Sequence, residues 1–293
     1  MPRQSREEVT LTTCGPRRVR VEGPRGATMP QASGLHPKEM REKIRTGEWQ
    51  GPTAGCCDGY VQANLVVLPK AVAYDFLLFC QRNPRPCPVL EVTDPGNPEP
   101  RTTAPGADVR TDLPRYRVYR GGKLERELTD LCEIWRDDLV GFLLGCSFTF
   151  DIALQRAGVP VRHLEEGKNV SMYITNRPCR PAGTLSGPLV VSMRPIPSPL
   201  IPRAVEVTAH FPLAHGAPVH VGEPEAIGIA DLSRPHFGDR VSIHAGEVPV
   251  FWACGVTPQA VAMHARPELM ISHAPGHMFI TDLRDEELSH PLL

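Results

Sequence analysis

A chain of 293 residues with 41% hydrophobic side chains is long enough for two domains, or one with a large insertion, around a sizeable core. Its 32 Lys and Arg residues balance 33 Asp and Glu, which argues against a nucleic-acid binder with a broad cationic face. No apolar run reaches the roughly 20 residues that span a bilayer, so neither nucleic acid nor membrane is an expected partner. Nine cysteines lack the paired CxxC spacing of a zinc site, and most read as reduced thiols in a cytoplasmic protein.

Residues 1–28 are Arg-rich without apolar periodicity and read as a disordered tail, or as a stretch ahead of a true start at Met29. From His36 to Gly47 a short helix is expected, with Pro37 near its start and Gly47 as its stop. Residues 51–69 read as a loop and a strand. Pro69 to Arg82 then places Val72, Phe76, Phe79 and Cys80 at helical spacing. Residues 86–92 form a β-rich run ending at the turn Thr93-Asp94-Pro95-Gly96. YRVYRGGKLERE reads as a hairpin about Gly121-Gly122.

Further on, Leu131 to Phe142 is expected as a helix capped by Thr129 or Asp130. GPLVVSMRP (187–195) and APVHVG (217–222) read as strands around a helix at 199–210. EVPVFWAC (247–254) and ELMISHA (268–274) read as strands around a helix at 258–265. The 32 prolines cluster at 84–114 and 178–218, marking two long irregular connections. Strands alternating with helices imply an α/β fold: a mixed sheet with flanking helices and crossovers, plus a second, smaller α+β portion. The expected division is a main domain at 29–160 and 246–293, with 161–245 inserted.

Two stretches echo each other. Gly145-Cys146-Ser147-Phe148-Thr149 and Ala253-Cys254-Gly255-Val256-Thr257 each follow an apolar run and precede a helix-like segment. A Thr at the N-cap would satisfy an orphan amide, and Pro258 suits the first helical position. A thiol just ahead of such a cap sits where amides and the helix dipole favour an anion, so Cys146 or Cys254 could ionise more readily than an ordinary cysteine. The competing reading is a small residue fitting a tight corner.

His273-Ala-Pro-Gly-His277 follows a strand, and its Pro-Gly makes a helix and a shared metal face improbable. Such a loop could aim His273 or His277 at a ligand as acid, base or donor; a plain turn with satisfied histidines is the alternative. His210, His215 and His220 share no regular face. Asp94 lies in a Pro-rich loop with Glu91, Asp108, Arg101 and Arg110, where α/β sheets often bind ligands. Arg194 could clamp a substrate carboxylate. Neither a dinucleotide fingerprint, nor a P-loop, nor a GxSxG elbow is present.

Several phrases in order carry a resemblance. GPTAGCCDGYVQANLVVLP, FCQRNPRPCPVLEVTDPG, APGADVRTDLPRYRVYR, WRDDLVGFLLGCSFTF, HLEEGKNVSMYITNRPC, GPLVVSMRPIP and WACGVTPQAV…HAPGHMFITDL together resemble the hydro-lyase family that includes D-glutamate cyclase. The likeness spans about residues 35–285; Cys56-Cys57-Asp58 is more thiol-rich than expected. It implies loss of water from a small acidic substrate, most concretely closure of D-glutamate to 5-oxo-D-proline. Lactam formation needs a neutral amine, a polarised carboxyl group and donors for the tetrahedral oxyanion. The expected catalytic groups are Cys146, Cys254, His273 and His277. Arg194 would hold the α-carboxylate, with Asn64, Asp94, Thr149 and Thr257 as further substrate-binding residues. No cofactor is evident; a divalent metal held by Asp94 or a histidine would fit the chemistry. A homo-oligomer is one expectation, and a non-catalytic small-acid sensor or carrier is the alternative function.

Overall fold

The structure, a computed structural model, describes residues 32–289; the tail expected over 1–28 lies outside them. Helix α1 (Pro37–Thr46) starts with Pro37 in its first turn and ends at Gly47, whose φ of 84° suits a residue without Cβ. Strand β1 (Tyr60–Pro69) leads into α2 (Lys70–Arg82), then β2 (Val89–Val92) and the hairpin β3 (Tyr116–Arg120) and β4 (Lys123–Leu128). Strand β5 (Leu139–Gly145) precedes α3 (Phe148–Arg156), α4 (Arg162–Glu165), β6 (Ser171–Pro178) and β7 (Pro188–Pro197). Next come α5 (Ile201–Ala209), β8 (His220–Val221), β9 (Glu247–Ala253) and α6 (Thr257–Ala265). The chain closes with β10 (Met270–His273), β11 (Phe279–Arg284) and α7 (Asp285–Leu288).

The larger sheet has the order β2-β5-β1-β10-β3-β4, with β11 also paired to β1; the smaller is β6-β7-β9-β8. The chain is thus an α/β protein with a helix-flanked sheet and a second, smaller β portion. Pairing differs in detail from the crossover sheet expected, because each adjacent pair is antiparallel. Helix α2 does carry the chain from β1 to a strand of the same direction, β2, but β5 lies between them and opposes both. Helices α3 and α6 instead connect one sheet to the other.

One expectation needs correction. Residues 131–142 are not a helix. LVGFLLG is a central strand buried along its whole length, and a short apolar run does not distinguish the two periods. Strand β9 pairs with β7 from Val191↔Ala253 to Pro197↔Glu247 and so belongs to the smaller sheet.

Strand β1 shows how the core is laid out. Ala63, Leu65 and Val67 face the loop at 104–113 on one side, while Val66 and Leu68 face α2 and α6 on the other. Alternation puts Gln62 and Asn64 on that second face, both buried. A third apolar cluster joins the sheets, with Cys146 and Phe148 from the larger and Val170, Met172, Val190 and Cys254 from the smaller. No helix among the described residues is long and apolar enough to cross a membrane.

Gly145 ends β5 where the backbone of a neighbouring segment crosses it. A Cβ there would lie 1.6 Å from the Leu213 carbonyl oxygen. Gly145→Ala is expected to destabilise the fold by about 2–3 kcal/mol or more, as overpacking against backbone does. Urea unfolding would measure the loss; a variant within experimental error of the parent would contradict this packing.

Candidate active site

The echoed stretches meet. Asn64, on the inward face of β1, donates from Nδ2 to the Gly145 carbonyl at 2.6 Å. The same amide blocks the far side: a Cβ on Gly255 would lie 2.0 Å from Nδ2, so that position requires glycine. Asn64 therefore spaces the turn carrying Cys146 from the turn carrying Cys254, and its amide is committed to the protein rather than free for substrate.

Both turns are built alike. The carbonyl of Cys146 accepts the Thr149 amide at 3.2 Å, and that of Cys254 accepts the Thr257 amide at 3.0 Å. Each thiol faces the amide two residues on, Phe148 for Cys146 and Val256 for Cys254. The threonines are not the caps expected of them; Ser147 and Val256 hold those positions. Thr257 Oγ1 donates to the Cys254 carbonyl at 2.7 Å and accepts the Val190 amide at 3.1 Å, bracing the turn. Thr149 is the second residue of α3, its hydroxyl buried without a hydrogen-bond partner among the described residues.

The thiols are not activated. Both are only 6% exposed. Burial pushes Cys146 well up, and the Phe148 amide offsets only part of that. Burial likewise pushes Cys254 up to about 11 despite the Val256 amide and the more distant Arg194. The helix starts expected to favour a thiolate are outweighed by the loss of solvent.

Arg194 is 0% exposed. Its Nε and Nη2 both lie 2.8 Å from Asp151 Oδ1. Nη1 donates to Ser192 Oγ at 3.2 Å and Nη2 to Ser147 Oγ at 3.1 Å, with Phe150 and Trp252 rings against the guanidinium. The expected substrate clamp thus holds an internal carboxylate. His163 Nε2 stands 3.2 Å from Asp151 Oδ2, off the line of a hydrogen bond. Burial would raise the Asp151 carboxyl, but Arg194 and then His163 hold it below its usual range.

An open space lies where residues from both sheets meet. A cleft of about 550 Å³ is lined by Arg115, Arg117 and Glu127 of the hairpin, His277, and Asn169, His236 and Phe237. Phe237 also packs against the apolar cluster holding both thiols, and neither cysteine is part of the cleft lining. Arg117 Nε donates to Glu127 at 2.8 Å and Arg115 Nη1 lies 3.5 Å from it, so two cations share one carboxylate. Burial alone would raise Glu127, but the Arg117 and Arg115 guanidiniums hold it below the usual carboxylate range. Gly276, at φ 81°, lets the loop close on the Asn169 side chain, 2.4 Å from where its Cβ would lie.

The two loop histidines part company. His277 lines the cleft, and its Nδ1–H donates to the Pro275 carbonyl at 3.0 Å. A carbonyl can only accept, so in the neutral ring Nε2 bears the lone pair. Burial lowers its pKa and favours that neutral form. His273 is buried away from the cleft, with Nδ1 3.3 Å from both the amide and carbonyl of Leu65. Burial drives it down to about 4. Asp94 is remote: its side chain is 74% exposed and pairs with Arg101 at 3.2 Å. Neighbouring Gly96 bonds to Leu139, at the end of β5 opposite Cys146. Among the described residues no group of three or more His, Cys, Asp or Glu side chains is placed to hold a metal ion.

The family described as D-glutamate cyclase matches residues 140–282. A Stutzerimonas stutzeri protein is 65% identical over 254 residues, 87% of this chain and 96% of its own. One from Thermoanaerobacter pseudethanolicus is 66% identical over 255 residues, 87% and 96% of the two chains. Bacillus subtilis YcsI is 62% identical over 255 residues, 87% and 99%. All three carry the name "Putative hydro-lyase". The chain belongs to the hydro-lyase family that includes D-glutamate cyclase. A solved nitrogen repressor-like protein from Methanococcus jannaschii is similar at 12% identity and TM-score 0.36, covering 81% of this chain and 90% of its own, too remote to bear on the site. Within this chain, the residues that sequence reasoning passed over are Asp151, His163, Arg115, Arg117, Asn169 and His236. All but His236 stand in or beside phrases that carried the resemblance.

The buried thiols give a direct expectation. With Cys254 near 11, only about one molecule in a thousand carries its thiolate at pH 8, so alkylation of the native protein should be slow and should accelerate through pH 10. Mass spectrometry after iodoacetamide treatment reads this, and rapid labelling of Cys254 at pH 7 would refute it. Asp151→Asn leaves Arg194 buried without its counter-charge and should cost about 3–5 kcal/mol in unfolding free energy. A loss under about 1 kcal/mol, the range of exposed pairs, would show the charge is compensated elsewhere.

Proposed function

We propose that this hydro-lyase removes water from a small amino acid bearing two carboxyl groups, and concretely that it closes D-glutamate to 5-oxo-D-proline. The observation that carries the reading is His277, with a bare Nε2 fixed by the Pro275 carbonyl, in a cleft where Arg115 and Arg117 share one carboxylate. Family membership supplies the reaction class; the cleft supplies groups suited to it.

In this reading the α-carboxylate takes the place of part of the Glu127 contact at Arg115 and Arg117. His277 Nε2 accepts a proton from the substrate ammonium, freeing the nitrogen lone pair to attack the γ-carbon. As the C–N bond forms and a C–O bond breaks, two protons pass in turn from nitrogen to the departing oxygen through that imidazole. One water leaves, and the ring nitrogen returns to its starting state. The Cys146 and Cys254 thiols, held protonated and outside the cleft lining, take no part in the reaction, and no thioester forms. The cleft opens to solvent, so proton balance is restored from bulk water.

Purified protein incubated with D-glutamate should accumulate 5-oxoproline, followed by proton NMR. His277→Ala should lower kcat by about a hundredfold or more, in the range of a lost general base, with thermal stability close to the parent. No turnover of either glutamate enantiomer, with or without divalent metal, would end the cyclase reading and leave small-acid binding in its place.

A further inference from the structure

The cleft holds a second imidazole set up in the opposite sense. His236 sits on the segment that runs antiparallel to β6: the amides of His236 and Phe237 donate to the Met172 carbonyl at 2.9 and 3.2 Å, and the Met172 amide donates to Phe237 at 2.9 Å. Met172 is itself buried in the cluster that holds the thiols. The backbone beneath His236 is therefore anchored to the core while its ring faces the cleft. The ring is oriented by one further bond, because Nδ1 accepts the Ile174 amide at 3.2 Å.

That bond decides the tautomer. An amide can only donate, so His236 Nδ1 carries a lone pair and the proton of the neutral ring sits on Nε2. His277 has the reverse arrangement, with its proton on Nδ1 and a bare Nε2. One lining histidine presents an acceptor and the other a donor, each enforced by a main-chain group that cannot change role. They come from segments of different sheets, His277 from the loop between β10 and β11 and His236 from the segment beside β6.

We propose that His236 is a catalytic donor, its Nε2–H holding the γ-carboxyl oxygen of a small dicarboxylic amino acid as negative charge builds there during ring closure. The inference rests on the dehydrative reading above and adds its electrophilic half. His236 transfers no proton and returns unchanged; the protons move from nitrogen to the leaving oxygen through His277. A neutral imidazole suits this role, because it offers a fixed dipole where charge develops without itself becoming an anion. Arg115 and Arg117 remain with the α-carboxylate, so the two carboxyl groups of the substrate meet different partners.

The test compares His236→Asn with His236→Gln. Asn places an oxygen where Nδ1 was and can still accept the Ile174 amide, but it removes the donor; Gln places an N–H near Nε2. His236→Asn should lose kcat for D-glutamate on the order of a hundredfold, with KM within about threefold of the parent, and Gln should recover to within about tenfold. Asn at the parental kcat, or Gln falling as far as Asn, would overturn the assignment. A second measurement stands apart from turnover. In ¹⁵N-histidine spectra of the full chain, His236 should show a protonated Nε2 and His277 a bare one, and millimolar glutarate, an unreactive dicarboxylate, should shift the His236 Nε2–H signal. A bare Nε2 on His236, or no shift with glutarate, rejects the proposal even if D-glutamate is turned over. Absence of turnover with the expected spectra and shift rejects the cyclase reading and leaves the donor in place.

Discussion

Arg194 carries a full positive charge at a position with no solvent exposure, and the junction of the two sheets is organised around keeping it there. An isolated buried guanidinium would be prohibitively costly; Asp151, two serine hydroxyls and two aromatic rings together make it tolerable. Three parts of the fold are tied by this one group. Arg194 lies on β7, Asp151 on α3, and Ser147 in the turn that presents Cys146. The direction in which α3 leaves the larger sheet is thereby linked to the smaller one. The neighbouring Asn64 then sets the spacing of the second turn through its contact with Gly255.

The same burial that secures this junction determines its chemistry. Removing water from around Cys146 and Cys254 raises both thiols, and one amide apiece does not reverse the effect. Imidazoles respond to burial in the opposite direction, towards the neutral ring that general-base chemistry needs near pH 7. Loss of solvent thus leaves the thiols protonated and the His277 ring neutral. The resemblance between the two cysteine turns is real in backbone geometry, and it serves structure before it serves reactivity.

Much of the fold was legible from local pattern. The helices over 69–82 and 258–265 and the hairpin about Gly121-Gly122 follow from spacing, Pro placement and turn chemistry, and all three are present. Residues 131–142 misled because LVGFLLG is apolar at every position but its glycines, and a strand buried on both faces leaves no period to read. Antiparallel pairing escaped because β5 (Leu139–Gly145), which opposes both β1 and β2, arrives long after Pro69 and Val92 end those two strands. His277 was visible as a loop histidine after a strand. Its partners were not, since Arg115, Arg117 and Asn169 reach the cleft through register and sheet packing, which no local window contains. Arg194 was singled out for charge alone, and the sequence offered no sign that Asp151 would already occupy it.

The walls of the cleft are contributed by both sheets. Arg115 and Arg117 come from the hairpin of the larger sheet, while Asn169 and His236 stand on segments laid against β6 of the smaller. The shape of this cleft is therefore a property of the seam between the sheets. A change that slides one sheet against the other would reshape it without touching any of the side chains that line it.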